Sequence, residues 1–169
     1  MTTAFTNLGK GYAGPIPVPV IIFAIVALIS WFFLAKTQFG RYIYAIGGNE
    51  KAALVSGLRV KQLKFLSYVI NGMTAALAGI LLAARVAVGS PTAGESYDLL
   101  AITAVVVGGT SNAGGTGGIL PSIIGVFIVT VMNNGMDLLG ISGYYQKIVT
   151  GVVVLLAVII DRNNVNRNH

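Results

Sequence analysis

Apolar stretches alternate with polar or glycine-rich segments along the whole chain. Five such stretches stand out, and they cover residues 16–35, 65–88, 99–107, 119–139 and 148–160. A helix that crosses the hydrocarbon core of a bilayer needs about 20 apolar residues, and fewer where it does not cross fully. The pattern therefore predicts an all-α membrane protein, a bundle of five transmembrane helices in a single transmembrane domain over residues 1–169.

The third stretch is short for an ordinary crossing. It lies within the segment 96–109, and two interpretations are open. The segment is either a re-entrant or broken helix, or a span completed by flanking polar residues that face protein. We expect a true crossing, because only then do the charges near the two ends of the chain agree on one orientation.

Composition supports a bilayer environment. Hydrophobic residues make up 55% of the 169 residues and charged residues only 9%, whereas a soluble domain carries roughly 25% charged residues. So few charges cannot cover the surface of a soluble protein of this size. We also expect no cleavable signal peptide, because the first apolar stretch follows a polar start without a cleavage-site pattern.

The positions of Lys and Arg predict which connectors face the cytoplasm. With segment 36–64 inside and five alternating crossings, basic residues are concentrated on the inside, as the positive-inside rule requires. The inner set is Lys36, Arg41, Lys51, Arg59, Lys61, Lys64, Arg162 and Arg167, and the outer set is Lys10, Arg85 and Lys147. We therefore predict a multi-pass inner (plasma) membrane protein with a cytoplasmic C-terminus. The net charge of +6 then reflects orientation in the membrane, and we expect no nucleic-acid partner.

The sequence gives little support for an enzymatic active site or a metal-binding site. The chain has no cysteine and its one histidine is His169, so we predict neither a catalytic residue nor a metal site. The glycine-rich linker 108–118 contains Gly109-x-x-x-x-Gly114, but Gly115 stands where the lysine of a phosphate-binding loop is required. We interpret the linker as a tight hairpin between the third and fourth spans, and expect this chain to bind no cofactor.

The segment 36–64 carries the most informative local pattern. Gly47 and Gly48 are predicted to interrupt regular structure, and Asn49 is a favourable N-cap. Glu50 then lies in the first helical turn, where its charge favours the helix dipole, and Gly57 is a plausible stop. The pattern predicts a two-turn helix outside the bilayer. Local physics leaves open whether this helix only connects two spans or docks a partner.

Several motifs of the chain, in order, match one family. They are Gly40-Arg41, Ala45-Ile46-Gly47-Gly48-Asn49, Ala52-Ala53, Ser56-Gly57, Gly94-Glu95-Ser96-Tyr97-Asp98-Leu99, the run from Ala104 to Ser111, Gly114-Gly115, Asn134-Gly135 and Leu138-Leu139-Gly140. From about residue 16 to residue 160 the chain resembles the permease subunits of ribose/galactoside/xylose-type ABC sugar importers. The chain departs from the family in two ways. Leu100 stands where family members commonly carry a second acid beside Asp98. The chain is also only about half as long as a full-length permease, and it resembles the C-terminal half.

The resemblance implies a passive role in import of a monosaccharide. The short helix would dock on a separate nucleotide-binding ATPase, which binds the ATP, through Gly48, Asn49, Glu50, Lys51, Ala52, Ala53, Ser56 and Gly57. The other implied partners are a periplasmic or lipoprotein sugar-binding protein, a second permease copy or the missing N-terminal half, and membrane lipid. Two alternatives stay open: a permease for a nucleoside or furanose signal molecule, and a membrane scaffold fragment that transports nothing.

Polar residues inside apolar stretches and charges at the outer face supply the remaining candidates. Asn and Thr side chains are costly in a bilayer, and they either contact a sugar in the pathway or hydrogen-bond between helices. These candidates are Asn71, Thr74, Thr130, Asn133 and Asn134. Arg85, Glu95 and Asp98 are candidates for meeting the binding protein, although such charges often only contact water.

Overall fold

Helices make up almost all of the regular structure, as the apolar pattern predicts. The computed structural model describes residues 3–167. The elements are α1 (Thr3–Lys10), β1 (Tyr12–Ala13), β2 (Ile16–Pro17), α2 (Val18–Lys36), α3 (Gln38–Gly48), α4 (Glu50–Val55), α5 (Val60–Val86), α6 (Tyr97–Val107), α7 (Ile119–Leu138) and α8 (Gly143–Arg167). The two strands pair antiparallel as a short hairpin ahead of α2. The all-α membrane class is confirmed.

Three helices are long and apolar enough to cross a membrane. They are α2, α5 and α7, with mean hydropathies of 2.7, 1.7 and 1.7. The apolar helix α6 and the apolar part of α8, Gly143–Ile159, are shorter. At a rise of 1.5 Å per residue, the 11 residues of α6 extend about 16 Å, against about 30 Å of hydrocarbon. Length alone therefore supports three of the five predicted crossings.

Long-range hydrogen bonds bring two connectors and the C-terminal part of α8 together at one end of the bundle, which we call the α4 end. It is defined by residues 36–64, residues 108–118 and Asp161. The Tyr44 hydroxyl donates to the Gly117 carbonyl at 2.8 Å, and the Ser111 hydroxyl donates to Asp161 Oδ2 at 2.8 Å. Helix α5 begins at this end of the bundle, and the chain returns to the same end after α6. The path of the chain therefore agrees with a crossing by the third apolar stretch, although only part of that crossing is helical.

The opposite end of the bundle holds α1 and the C-terminal end of α5. Gly9 lies directly against the backbone of Ala84 and Arg85, and a side chain on Gly9 would collide with it. Ala84 is fully buried as a result. We call this the α1 end.

The best-packed part of the molecule is the group formed by α6, α7 and α8. The residues buried there are Thr103, Ala104, Val106, Gly125, Val129, Met136 and Thr150. Thr103 satisfies its hydroxyl by donating to the Leu99 carbonyl one turn earlier, at 2.6 Å. By contrast, no residue in the most apolar windows of α2 and α5 is buried. Those two helices therefore present apolar surface that no other described part of this chain covers.

The structure corrects two boundaries predicted from the sequence. Gly47 and Gly48 do not interrupt regular structure, because both lie in the last turn of α3, a helix that the apolar pattern did not reveal. The break comes at Asn49, whose φ of −155° is extended. Helix α5 begins at Val60 instead of Phe65, since its first turn lies beyond the apolar stretch and includes charged residues.

Candidate functional site

The short helix α4 has the capped form that its sequence predicts. Asn49 accepts a hydrogen bond at Oδ1 from the Ala52 N–H at 3.0 Å, which satisfies one of the free donors of the first turn. At the other end, the Ser56 N–H and hydroxyl both donate to the Ala52 carbonyl. Gly57 then takes a left-handed φ of +84°, which favours glycine and ends the helix. The predicted two-turn helix is confirmed, and its docking role stays a prediction.

One side of α4 is anchored and the rest of it is exposed. Ala53 is buried, and Val60 at the start of α5 is buried beside this connector. In contrast, Leu54 and Val55 are 62% and 88% exposed. Two apolar side chains on a short helix outside the apolar spans have no partner in the described part of the chain, so α4 presents an apolar surface available for contact.

Leu54 and Val55 were absent from the residues singled out in the sequence, which otherwise included most of the segment from Gly48 to Gly57. The family motifs between Gly47 and Gly57 consist of small and polar residues. A helical-wheel reading would have found them, because Ala53 occupies the inward face and its two successors must then point elsewhere.

An ion pair ties α4 to α5. The Lys64 ammonium lies 2.6 Å from Glu50 Oε2, and the two side chains are 47% and 55% exposed. The predicted position of Glu50 in the first turn is confirmed, and its partner Lys64 was not foreseen. Because both groups are well exposed, the pair adds little stability and chiefly restricts the orientation of α4.

The glycine-rich linker 108–118 packs against the residues that lead into α4. A Cβ on Gly47 would lie 2.6 Å from the Gly115 nitrogen, and a Cβ on Gly115 would lie 2.8 Å from the Gly48 Cα. These two segments therefore meet backbone to backbone. Gly115 also has a left-handed φ of +77°, so glycine is required there for both space and conformation.

The five candidate pathway residues are not gathered into one site by this chain. Asn71 and Thr74 lie on the exposed middle of α5, which packs against α1 and α3, whereas α7 packs against α6 and α2. The Thr74 hydroxyl donates back to the carbonyls of Ile70 and Asn71, at 3.1 and 2.9 Å. Thr74 therefore satisfies its donor within its own helix.

The three candidates on α7 differ in their surroundings. Thr130 and Asn134 are exposed, while Asn133 is half-buried on the side of α7 that includes Val129 and Met136. Thr130 and Asn133 therefore differ in exposure although they lie three residues apart, and the roles of the three residues in a pathway stay predictions. Asn133 Oδ1 is buried and accepts no hydrogen bond among the described residues.

Arg85, Glu95 and Asp98 are exposed and lie around the loop between α5 and α6. The structure shows no hydrogen bond or ion pair among these three side chains. Within residues 3–167, no cluster of three or more metal-ligating side chains is present. His169 lies outside the described residues, as do the side chains of Arg162 and Arg167.

Asp161 is a further residue of the α4 end that the sequence did not single out. Its Oδ2 accepts hydrogen bonds from the Ser111 hydroxyl and the Asn112 N–H, at 2.8 and 3.0 Å. The available signal was an acid at the end of the last apolar stretch, on the side where the sequence concentrates basic residues.

Comparison with known proteins places these features in a family. Residues 2–158 match the family model described as branched-chain amino acid transport system / permease component. The chain is 52% identical over 158 residues to a ribose import permease protein of Bacillus subtilis, covering 94% of this chain and 49% of the relative. It is 52% identical over 157 residues to the ribose import permease protein of Escherichia coli K12, covering 93% and 49%.

A third relative is the xylose transport system permease protein of Haemophilus influenzae, 45% identical over 149 residues, or 88% of this chain and 40% of the relative. No solved structure matches the chain significantly. The chain spans about half the length of the curated relatives it matches.

Proposed function

Since the chain belongs to the family of permease components typified by the branched-chain amino acid transport system, we propose that it forms part of the pathway of an ATP-driven importer. The substrate we propose is a monosaccharide such as ribose or xylose. The named substrates of the relatives, at 45–52% identity, support a sugar over the amino acids in the family description. A nucleoside or furanose signal molecule is the alternative.

The observation that carries the proposal is the form of α4. It is a capped helix of six residues that projects Leu54 and Val55 away from the rest of the chain, between two helices long enough to span a membrane. Exposed apolar side chains that are rigidly presented are typical of a docking surface. We propose that a separate ATPase subunit receives this helix and binds the ATP, so that the chain itself is not an enzyme and holds no cofactor.

The proposed arrangement places the α4 end in the cytoplasm of a cell bounded by an inner membrane, with the C-terminus on the same side. Segment 36–64 contains six Lys and Arg and one acid, which supports that orientation. A periplasmic or lipoprotein sugar-binding protein would then approach the α1 end, where Arg85, Glu95 and Asp98 are its proposed contacts.

The uncovered apolar surfaces of α2 and α5 support further partners in the membrane. Because the amide side chain of Asn71 lies exposed on α5, leaving that surface to lipid would be costly. We propose that the remaining half of a full-length permease, or a second permease copy, covers it. Asn71, Thr74, Thr130, Asn133 and Asn134 would then line a pathway that this chain builds only in part.

Co-purification with the ATPase encoded beside the complete permease tests the docking role. The double substitution Leu54→Glu/Val55→Glu places two charges on the proposed contact, and we expect at least a tenfold loss of recovered ATPase. Leu139→Glu is the matched control, because Leu139 is 78% exposed beyond the end of α7, at the far end from α4. Recovery of the ATPase with the double variant, or with residues 49–57 deleted, would show that docking occurs elsewhere.

A further inference from the structure

The glycine-rich linker connects helices that are far apart in the sequence. On one side it is held by α8, because Asp161 Oδ2 accepts from both the Ser111 hydroxyl and the Asn112 N–H. A single carboxylate oxygen that receives two donors from adjacent residues fixes both the position and the direction of that part of the linker.

On its other side the linker is held by α3. The Tyr44 hydroxyl donates to the Gly117 carbonyl at 2.8 Å. Beside this bond, Gly47 and Gly48 touch Gly114 and Gly115 through the backbone alone. A contact without side chains cannot absorb a displacement by changing rotamers, so movement of one backbone must move the other.

Hydrogen bonds within the linker also stabilise its conformation. The Ser111 N–H donates to the Thr116 carbonyl at 3.1 Å, and the Gly114 N–H donates to the Ser111 carbonyl at 3.2 Å. Thr110 and Ser122 pair through their hydroxyls at 3.3 Å, which joins the linker to the first turn of α7. These bonds make the linker a small folded unit that is joined to α7.

Helix α4 follows α3 directly, with only Asn49 between them. The acids described at the α4 end are Glu50 and Asp161, and each one bonds a residue of another element. The Glu50 bond connects α4 to α5, and the Asp161 bond connects the linker to α8. A displacement of α4 therefore has a continuous path through α3 and the linker to α8.

We propose that residues 108–118 form a mechanical relay, which transmits movement of α4 to α8, and that Asp161 is the positioning residue that couples the relay to α8. The proposal rests on the proposed function, because it assumes that an ATPase moves α4. The proposal gives the linker a mechanical function. The linker lacks the lysine of a phosphate-binding loop, so no nucleotide-binding function is predicted for it.

Cysteine reporters can separate movement of α4 from movement of α8, because the chain has no cysteine of its own. Ser56→Cys places a reporter beside α4, and Val153→Cys places one on a half-buried position of α8. Each is introduced into the complete permease assembled with its ATPase in nanodiscs. Thiol-labelling rates are measured before and after trapping the ATPase with ATP and vanadate.

We expect trapping to change the labelling rate at both positions in the unaltered background. With Asp161→Ala, the change at position 153 should fall at least fivefold, while the change at position 56 persists. Ser111→Ala should give a smaller loss at position 153, and no further loss when combined with Asp161→Ala, because both remove one interaction. Asp161→Asn keeps an oxygen acceptor and should restore most of the response.

Asp137→Ala is the matched control. Asp137 also accepts a side-chain hydrogen bond, from Gln146 Nε2 at 2.6 Å, but it lies at the far end of α7. A response at position 153 that survives Asp161→Ala and Ser111→Ala, or that falls equally with Asp137→Ala, overturns the relay. No response at position 56 in the unaltered background would instead overturn the proposed function itself.

Discussion

Asn49 is the residue on which the short helix α4 depends most directly. Its side-chain oxygen satisfies the Ala52 N–H, and loss of such a cap costs about 1 kcal/mol. A helix of six residues depends strongly on its caps, since isolated helices of this length are marginal in water. We expect Asn49→Ala to speed amide exchange across residues 50–56 by roughly fivefold, which corresponds to that free energy. Asn49→Asp, which keeps the cap, should leave exchange within twofold, and an equal effect of both substitutions would contradict the assignment.

Gly47 and Gly48 form a natural matched pair for testing the contact with the linker. Both lie in α3, but a Cβ on Gly47 would meet Gly115 at 2.6 Å, whereas one on Gly48 would come no closer than 4.0 Å to it. Ala is favoured over Gly in a helix by up to about 1 kcal/mol. We therefore expect Gly48→Ala to keep or raise the thermal midpoint in detergent, and Gly47→Ala to lower it by several degrees. Equal midpoints for the two variants would mean that the segments do not touch.

At the scale of single residues, the sequence predicts those features that depend on neighbours within one helical turn. The Asn49 cap, the Glu50 position and the Gly57 stop are all of this kind, and the structure confirms them. The bond between Ser111 and Asp161 joins residues 50 positions apart, and no local preference specifies it. Such a bond arises only when α6, α7 and α8 have packed.

Among the elements, the apolar pattern located the spans but not every helix. Helix α3 was missed because its residues are mixed in polarity and its last two are glycines, which are unfavourable in isolation. It forms nonetheless because Thr37 caps its start, accepting from the Gly40 N–H at 3.4 Å, and because α2 and α4 pack against it. Tertiary contact here overrides weak local propensity.

The ion pair between Glu50 and Lys64 links two elements, α4 and α5. Exposed pairs of this kind contribute about 0–1 kcal/mol, because solvent screens the charges. We expect Lys64→Gln to change the thermal midpoint by no more than about 2 °C, yet to increase the mobility of a spin label at position 56. Lys61→Gln is the matched control, since Lys61 is exposed in the same turn and makes no ion pair among the described residues. Unchanged mobility in the Lys64 variant would show that the pair does not orient α4.

For the whole molecule, the order of the apolar stretches predicts which segments meet at one end of the bundle. The structure brings segment 36–64, the linker and Asp161 to one end, which is where five alternating crossings place them. The shortness of α6 was visible in the sequence, but the route that residues 87–96 take between α5 and α6 was not. Turns in this segment and a left-handed Ser96 at φ +69° precede the helix, and side-chain patterns do not specify such a route.

Which face of the membrane the α4 end meets decides whether α4 can contact an ATPase at all. Segment 36–64 has six basic residues, and each basic residue beside a span favours the cytoplasm. With Ser56→Cys or Ser90→Cys in the complete permease in intact cells, a membrane-impermeant maleimide should label position 90 and leave position 56 unlabelled until the cells are broken. Both serines are exposed and lie outside the described helices, at opposite ends of α5, so accessibility to solvent is matched. Labelling of position 56 from outside would remove α4 from the compartment that supplies ATP, and coupling through this helix would be impossible.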